Sequence, residues 1–78
     1  MPTYNGHKNW NHWNVSLWLK NDYALYTAML ESIRYHKRRD IAARALLQKL
    51  LNNGKYLTPD GAPFSFTTIR AAMRGIET

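Results

Sequence analysis

An all-α fold, a compact bundle of three to four short helices, is predicted for this chain by three observations. Apolar residues recur at helical spacing in four separate stretches. Between those stretches stand residues that stop or cap helices: Asn21-Asp22, Asp40, Asn53-Gly54 and Gly75. The length, 78 residues with 45% hydrophobic side chains, supports one core and therefore one domain over residues 1–78.

Residues 1–8 contain Pro, Gly, Asn and Thr, and are expected to form an extended arm with a turn at Asn5-Gly6. The first helix is expected over about Asn11 to Lys20. All three tryptophans fall within nine residues there, interleaved with asparagines. Trp10, Trp13 and Leu17 stand at i, i+3 and i+7, one stripe of a helix, while Val15, Trp18 and Leu19 make a second stripe on another side. The first stripe is assigned to the core. Trp18, on the second, is the candidate for an outward contact.

The second helix is expected from Asp22 or Tyr23 to about Tyr35, because Leu25, Tyr26, Met29, Leu30 and Ile33 form one broad apolar face. The basic run Arg34-Tyr35-His36-Lys37-Arg38-Arg39 then breaks the pattern. Asp40 is the expected N-cap of a third helix, Ile41 to Asn52, with Ala43, Leu46, Leu47, Leu50 and Leu51 inside and Arg44, Gln48 and Lys49 outside. Asn53-Gly54 ends it, since glycine reaches the left-handed region without steric cost. Thr58-Pro59-Asp60-Gly61 is a turn in which Pro59 presets φ and Asp60-Gly61 reverses the chain. Its flanks suit either a minimal β-hairpin near residues 56–66 or a plain helix–loop–helix connection. A last helix, from Phe66 or Thr67 to Arg74, sets Phe66, Ile69, Met73 and Ile76 on one side.

A core of this size nets only about 3–5 kcal/mol, so the large aromatics are expected to matter for folding itself. The chain has no cysteine, which excludes disulfides and thiolate metal sites. It shows no secretory apolar segment and no run near the roughly 18 residues of a membrane span, so a soluble, cytoplasmic protein is expected. Eleven Lys/Arg against five Asp/Glu give a net charge of +6, a field that attracts nucleic acid, an acidic protein face or anionic lipid.

Nothing in the residues announces a reaction. Ser16, Ser32 and Ser65 and His7, His12 and His36 lie in no motif that would expose and activate a nucleophile. Asp22, Asp40, Asp60 and Glu77 have explanations as caps, turn residue or tail, and Glu31 falls on the polar side of the second helix. His7 and His12 are five apart, off the i, i+4 spacing of a helical metal pair, and no further ligand completes a set. The expectation is a non-enzyme with no catalytic residue, no metal and no cofactor.

A binding function has better material. Arg34, His36, Lys37, Arg38 and Arg39 cluster, Arg44 follows one helix later, and Trp, Tyr and Arg are the residues enriched at interface hot spots. These residues with Trp18 are the candidate surface for a partner or an anion. The competing reading is a solvated helix C-terminus followed by a charged turn. Tyr23, Tyr26, Tyr35 and Tyr56 are expected to be half-buried packing residues.

Tyr4-Asn5-Gly6, Asn9-Trp10, Trp13-Asn14-Val15, Leu17-Trp18 and Asn21-Asp22, followed by Leu25-Tyr26, resemble the opening of a family of small phage and plasmid proteins. The family pattern is similar to YNG-x-x-N-[WY]-x-T-W-x-V-x-L-W-x-x-N-D-x-x-L-Y. The turn Thr58-Pro59-Asp60-Gly61 and the helix after it are similar to that family's C-terminal half. This chain differs in having His12 in place of Thr, Tyr23-Ala24 in place of Glu-Gly, and a basic rather than acidic 34–39 run. The resemblance implies a mobile-element accessory protein and brings no catalytic residues. It implies a phage protein that binds and inhibits a host defence complex, of anti-CRISPR or anti-restriction type, through a basic and aromatic surface. The alternative is a small nucleic-acid-binding accessory protein.

Overall fold

The computed structural model describes residues 8–76. In chain order it contains α1 (Trp10–Asn21), α2 (Tyr23–Tyr35), α3 (Arg39–Asn52) and α4 (Phe66–Ala72). The expected all-α bundle is therefore observed. The expected arm with its Asn5-Gly6 turn falls at residues 1–8 and lies almost wholly outside the described residues. The helices close into a ring: α1 packs on α2 and α4, and α3 packs on the same two.

Local chemistry sets each boundary. The Asn9 side chain accepts the His12 N–H at 3.0 Å and opens α1, and Asp22 accepts the Leu25 N–H at 3.0 Å and opens α2. Only one residue separates these two helices. Ser65 and Thr68 form a reciprocal capping box at the start of α4. Gly54 and Gly75, at φ +74° and +80°, provide the left-handed residues that end α3 and the last turn.

The third helix starts earlier than expected. Its N-cap is Arg38, which makes no side-chain cap bond, and Asp40 lies inside the first turn. A carboxylate there still favours the helix, because it meets the positive end of the dipole. Between α3 and α4 the chain makes a single antiparallel bridge, Leu57 to Pro63, within the span where a minimal hairpin is one of the two expectations.

The core takes Val15 and Leu19 from α1, Leu25, Met29 and Ile33 from α2, and Ala42, Ala43, Leu46 and Leu50 from α3. Ala62 and Phe64 of the loop, Ile69 and Ala72 of α4, and Met73 just after it complete the core. Expectation and structure agree on α2, α3 and α4. They disagree on α1. Val15 and Leu19 are fully buried and Trp18 packs against the core, whereas Trp10 is 37% exposed, Leu17 lies at the surface and Trp13 is half-buried. Val15 and Leu19 of the second stripe form the inner face of α1, and Trp13 and Trp18, one from each stripe, are both half-buried. Helical spacing identifies a stripe without saying which neighbour it meets, and here α2 and α4 flank the Val15 side.

The tyrosines also depart from expectation. Tyr23 and Tyr35 are 84% and 87% exposed, Tyr56 is exposed, and Tyr26 stands at the margin of the α2 face.

Candidate functional site

Two polar arrangements stand out from the packed core. The first joins α1 to the 58–61 turn. Asn14 is 1% exposed, a rare state for an unpaired amide. Its Nδ2 donates to Asp60 Oδ2 at 2.9 Å, and its Oδ1 accepts from the Thr58 hydroxyl at 2.6 Å. The Trp18 indole N–H donates to the same Asp60 oxygen at 2.9 Å. Thr58 Oγ1 in turn accepts the Ala62 N–H at 3.0 Å, while the Thr58 N–H donates to the Ala62 carbonyl at 2.8 Å. The turn is thereby fastened to one side of α1.

The Asn14 amide, and after it the Trp18 indole, hold the Asp60 carboxyl below its ordinary value of 3.8, against the smaller effect of desolvation. Sequence reasoning assigned Asp60 to the turn alone and missed this latch. A signal was present: Asn14 and Trp18 are i, i+4 on one side of α1, so two N–H donors converge on a single acceptor. Trp18, expected to face outward, instead has its ring on the core and its N–H committed to Asp60.

The second arrangement is the basic corner between α2 and α3. The second helix ends at Tyr35, so Arg34 and Arg38 do not share a continued helical face. His36 is the C-cap, its N–H donating to the Ser32 carbonyl at 3.0 Å. The Ser32 hydroxyl reaches across to the Ala42 carbonyl at 2.7 Å and fixes how the two helices meet. His36 and Arg38 are extended, with φ −118° and −92°, which displays the connector. The Tyr35 ring meets the His36 ring edge-on, with centroids 5.4 Å apart.

The expected cationic residues separate into two groups. Arg34, Lys37 and Arg38 are exposed at the connector, and Arg44 is exposed on α3. Arg38 pairs with Asp40 at 3.1 Å, the one ion pair among the described residues, and its side chain is still 72% exposed. Desolvation raises the Asp40 carboxyl, but the Arg38 charge and the first-turn N–H groups of Ile41 and Asp40 outweigh it and leave the carboxyl below 3.8. Arg39 and Arg44 serve the fold. Arg39 donates to the Ile76 carbonyl at 2.6 Å, and the Arg44 guanidinium lies 5.1 Å from the centroid of the Phe66 ring, a cation–π contact from α3 to α4. Of the residues assigned to the binding surface, Arg34, His36, Lys37 and Arg38 therefore meet at the corner, with exposed Tyr35 among them. Arg39, Arg44 and Trp18 are tied into the fold.

Chemically, such a corner can hold anions. Among the described residues there is no group of three His, Asp or Glu side chains that could hold a metal ion. No helix among them is long and apolar enough to cross a membrane.

The fold and site define a class: a small four-helix domain with a latched polar turn and a basic, aromatic corner. A family model matches residues 1–77, so the chain belongs to the family of unknown function DUF7249. No curated protein and no solved structure matches the chain.

Proposed function

We propose that this is a non-enzymatic binding protein of a phage or other mobile element that docks on an acidic face of a host defence complex and inhibits it. The docking surface is the α2–α3 corner, and the host cytoplasm is its place of action. One observation carries the reading: Tyr35, 87% exposed, stands among exposed Arg34, Lys37 and Arg38 and half-buried His36. An exposed tyrosine costs little conformational entropy to immobilise and supplies large contact area, and flanking cations steer an acidic partner. The mobile-element origin rests on the resemblance of the Tyr4–Tyr26 stretch.

The test is co-purification of the protein from a host that encodes CRISPR and restriction systems, alongside a defence assay on expressing cells. The expected result is recovery of a defence component and weakened defence, both lost in Arg34→Glu/Lys37→Glu. Recovery of no such component, with defence unchanged, would overturn the proposal.

The same corner supports a second reading, direct nucleic-acid binding, because an exposed ring beside cations is what base stacking uses. Affinity for DNA or RNA would then fall linearly with salt on a log–log plot, with a slope that counts the phosphates contacted. No binding at low salt excludes it.

A further inference from the structure

Asn53-Gly54, which ends α3, is also a reactive pair. Both residues are exposed, and glycine has no Cβ to keep its backbone nitrogen away from the preceding side-chain amide. Attack by that nitrogen balances with water as the only co-reactant. The Gly54 nitrogen bonds to Asn53 Cγ, the Cγ–Nδ2 bond breaks, and ammonia leaves with the Gly54 amide proton. Water then opens the succinimide at either carbonyl, which leaves an aspartate or an isoaspartate at position 53. The pair stands at the far end of α3 from the basic corner, about 20 Å along the helix axis, so its chemistry is independent of the proposed function.

The folded chain withholds each group that the reaction needs. The Gly54 N–H, whose nitrogen must attack, donates to the Leu51 carbonyl at 3.0 Å, and the Lys55 N–H donates to the Leu50 carbonyl at 2.8 Å. With Gly54 at φ +74°, these two bonds form a Schellman closure of α3. Asn53 Nδ2, the leaving nitrogen, donates to the Lys49 carbonyl at 2.9 Å, which turns the amide back along the helix. Ring closure also needs the Gly54 nitrogen nearly eclipsed with Asn53 Cβ, a ψ of about −120° by tetrahedral geometry. Asn53 has ψ 11°, so the nitrogen is turned away from its target.

We propose that Asn53 is a deamidation site gated by the C-terminal cap of α3. Closed, the cap keeps the amide unreactive; opening it frees the attacking nitrogen, the leaving nitrogen and the Asn53 ψ together. Helix ends held by exposed hydrogen bonds are among the parts of a fold that open at least cost. The product removes one unit of the net +6 charge and sets a carboxylate at the negative end of the α3 dipole. It also lacks the Nδ2 donor that served the Lys49 carbonyl, and the exposed ammonium groups of Lys49 and Lys55 offset only the charge. Each conversion therefore leaves a cap that opens more readily than before.

The test is peptide mapping by mass spectrometry of the full chain held at mildly alkaline pH, folded and in guanidinium chloride, with hydrogen exchange of the folded chain alongside. The tryptic peptide 50–55 also carries Asn52, exposed like Asn53 but followed by a residue with a side chain. In the unfolded chain Asn53 is expected to convert ahead of Asn52. Folding should slow Asn53 by about tenfold or more, in step with the protection of the Gly54 amide. Asn53→Asp, which carries the aspartate product, should exchange faster than wild type at Gly54 and Lys55 and keep its helical spectrum. The proposal is overturned by equal conversion of Asn53 in the folded and unfolded chains, by slow conversion beside a freely exchanging Gly54 amide, or by Asn52 converting first in the unfolded chain. Should Asn53→Asp fail to fold, the rates on the unaltered chain decide.

Discussion

Asp60 Oδ2 accepts the Trp18 indole N–H at 2.9 Å across 42 residues of sequence. Because the same oxygen also takes the Asn14 amide, one carboxylate joins the first helix to the loop that precedes the last. No buried side-chain nitrogen or oxygen among the described residues lacks a partner. This latch is where much of that satisfaction is achieved.

Breaking the buried half of the latch should cost stability. Asn14→Leu leaves the Thr58 hydroxyl without its acceptor, and Thr58→Val removes both that bond and the acceptor of the Ala62 N–H. Each is expected to lower the unfolding free energy by about 1–3 kcal/mol. The two losses should not add, because the residues share one bond. Urea denaturation of the single and double variants measures this.

Acid should weaken the latch. The folded-state carboxyl of Asp60 is depressed below 3.8, so its contribution is fully present above that value. It is lost as the pH falls further, through the depressed value. The stability difference between wild type and Asp60→Asn, followed from pH 6 downward, should hold steady and then shrink below about pH 4. A difference that instead grows toward low pH contradicts the assignment.

Trp10 should matter less to stability than its spacing-based assignment to the core implies. Trp10→Ala, at a side chain 37% exposed, is expected to cost about 1–2 kcal/mol. Leu46→Ala, at a site 1% exposed, should cost about 2–5 kcal/mol. Thermal unfolding followed by circular dichroism compares the two.

Two kinds of arginine should separate in a binding assay. Arg39→Gln loses the bond to the Ile76 carbonyl, costing about 1 kcal/mol and speeding amide exchange near residue 76 while binding persists. Arg34→Glu/Lys37→Glu should abolish partner binding with stability almost unchanged. Loss of binding in Arg39→Gln alone would place the working surface on the α3–α4 side.

Helix existence was legible from spacing and caps because these are local effects. Asp22 as an N-cap, Gly54 and Gly75 as stops, and the buried Leu25-Met29-Ile33 face all follow from residues within a turn or two of one another. The site was legible in composition and less so in membership. The corner's cations are contiguous in sequence, yet nothing local marks Arg39 as bound to Ile76 or Arg44 as lying over Phe66.

The sequence alone thus determined the all-α class, a bundle of three to four helices, most of their ends and the inner faces of α2, α3 and α4. Only the tertiary structure decided which side of α1 faces inward, that Trp18 and Asn14 serve Asp60, and which arginines remain available to a partner. The physical reason is reach. Caps and periodicity act over three to eight residues, whereas the partners of Asn14, Trp18 and Arg39 lie 46, 42 and 37 residues away and meet only once the ring of helices has closed.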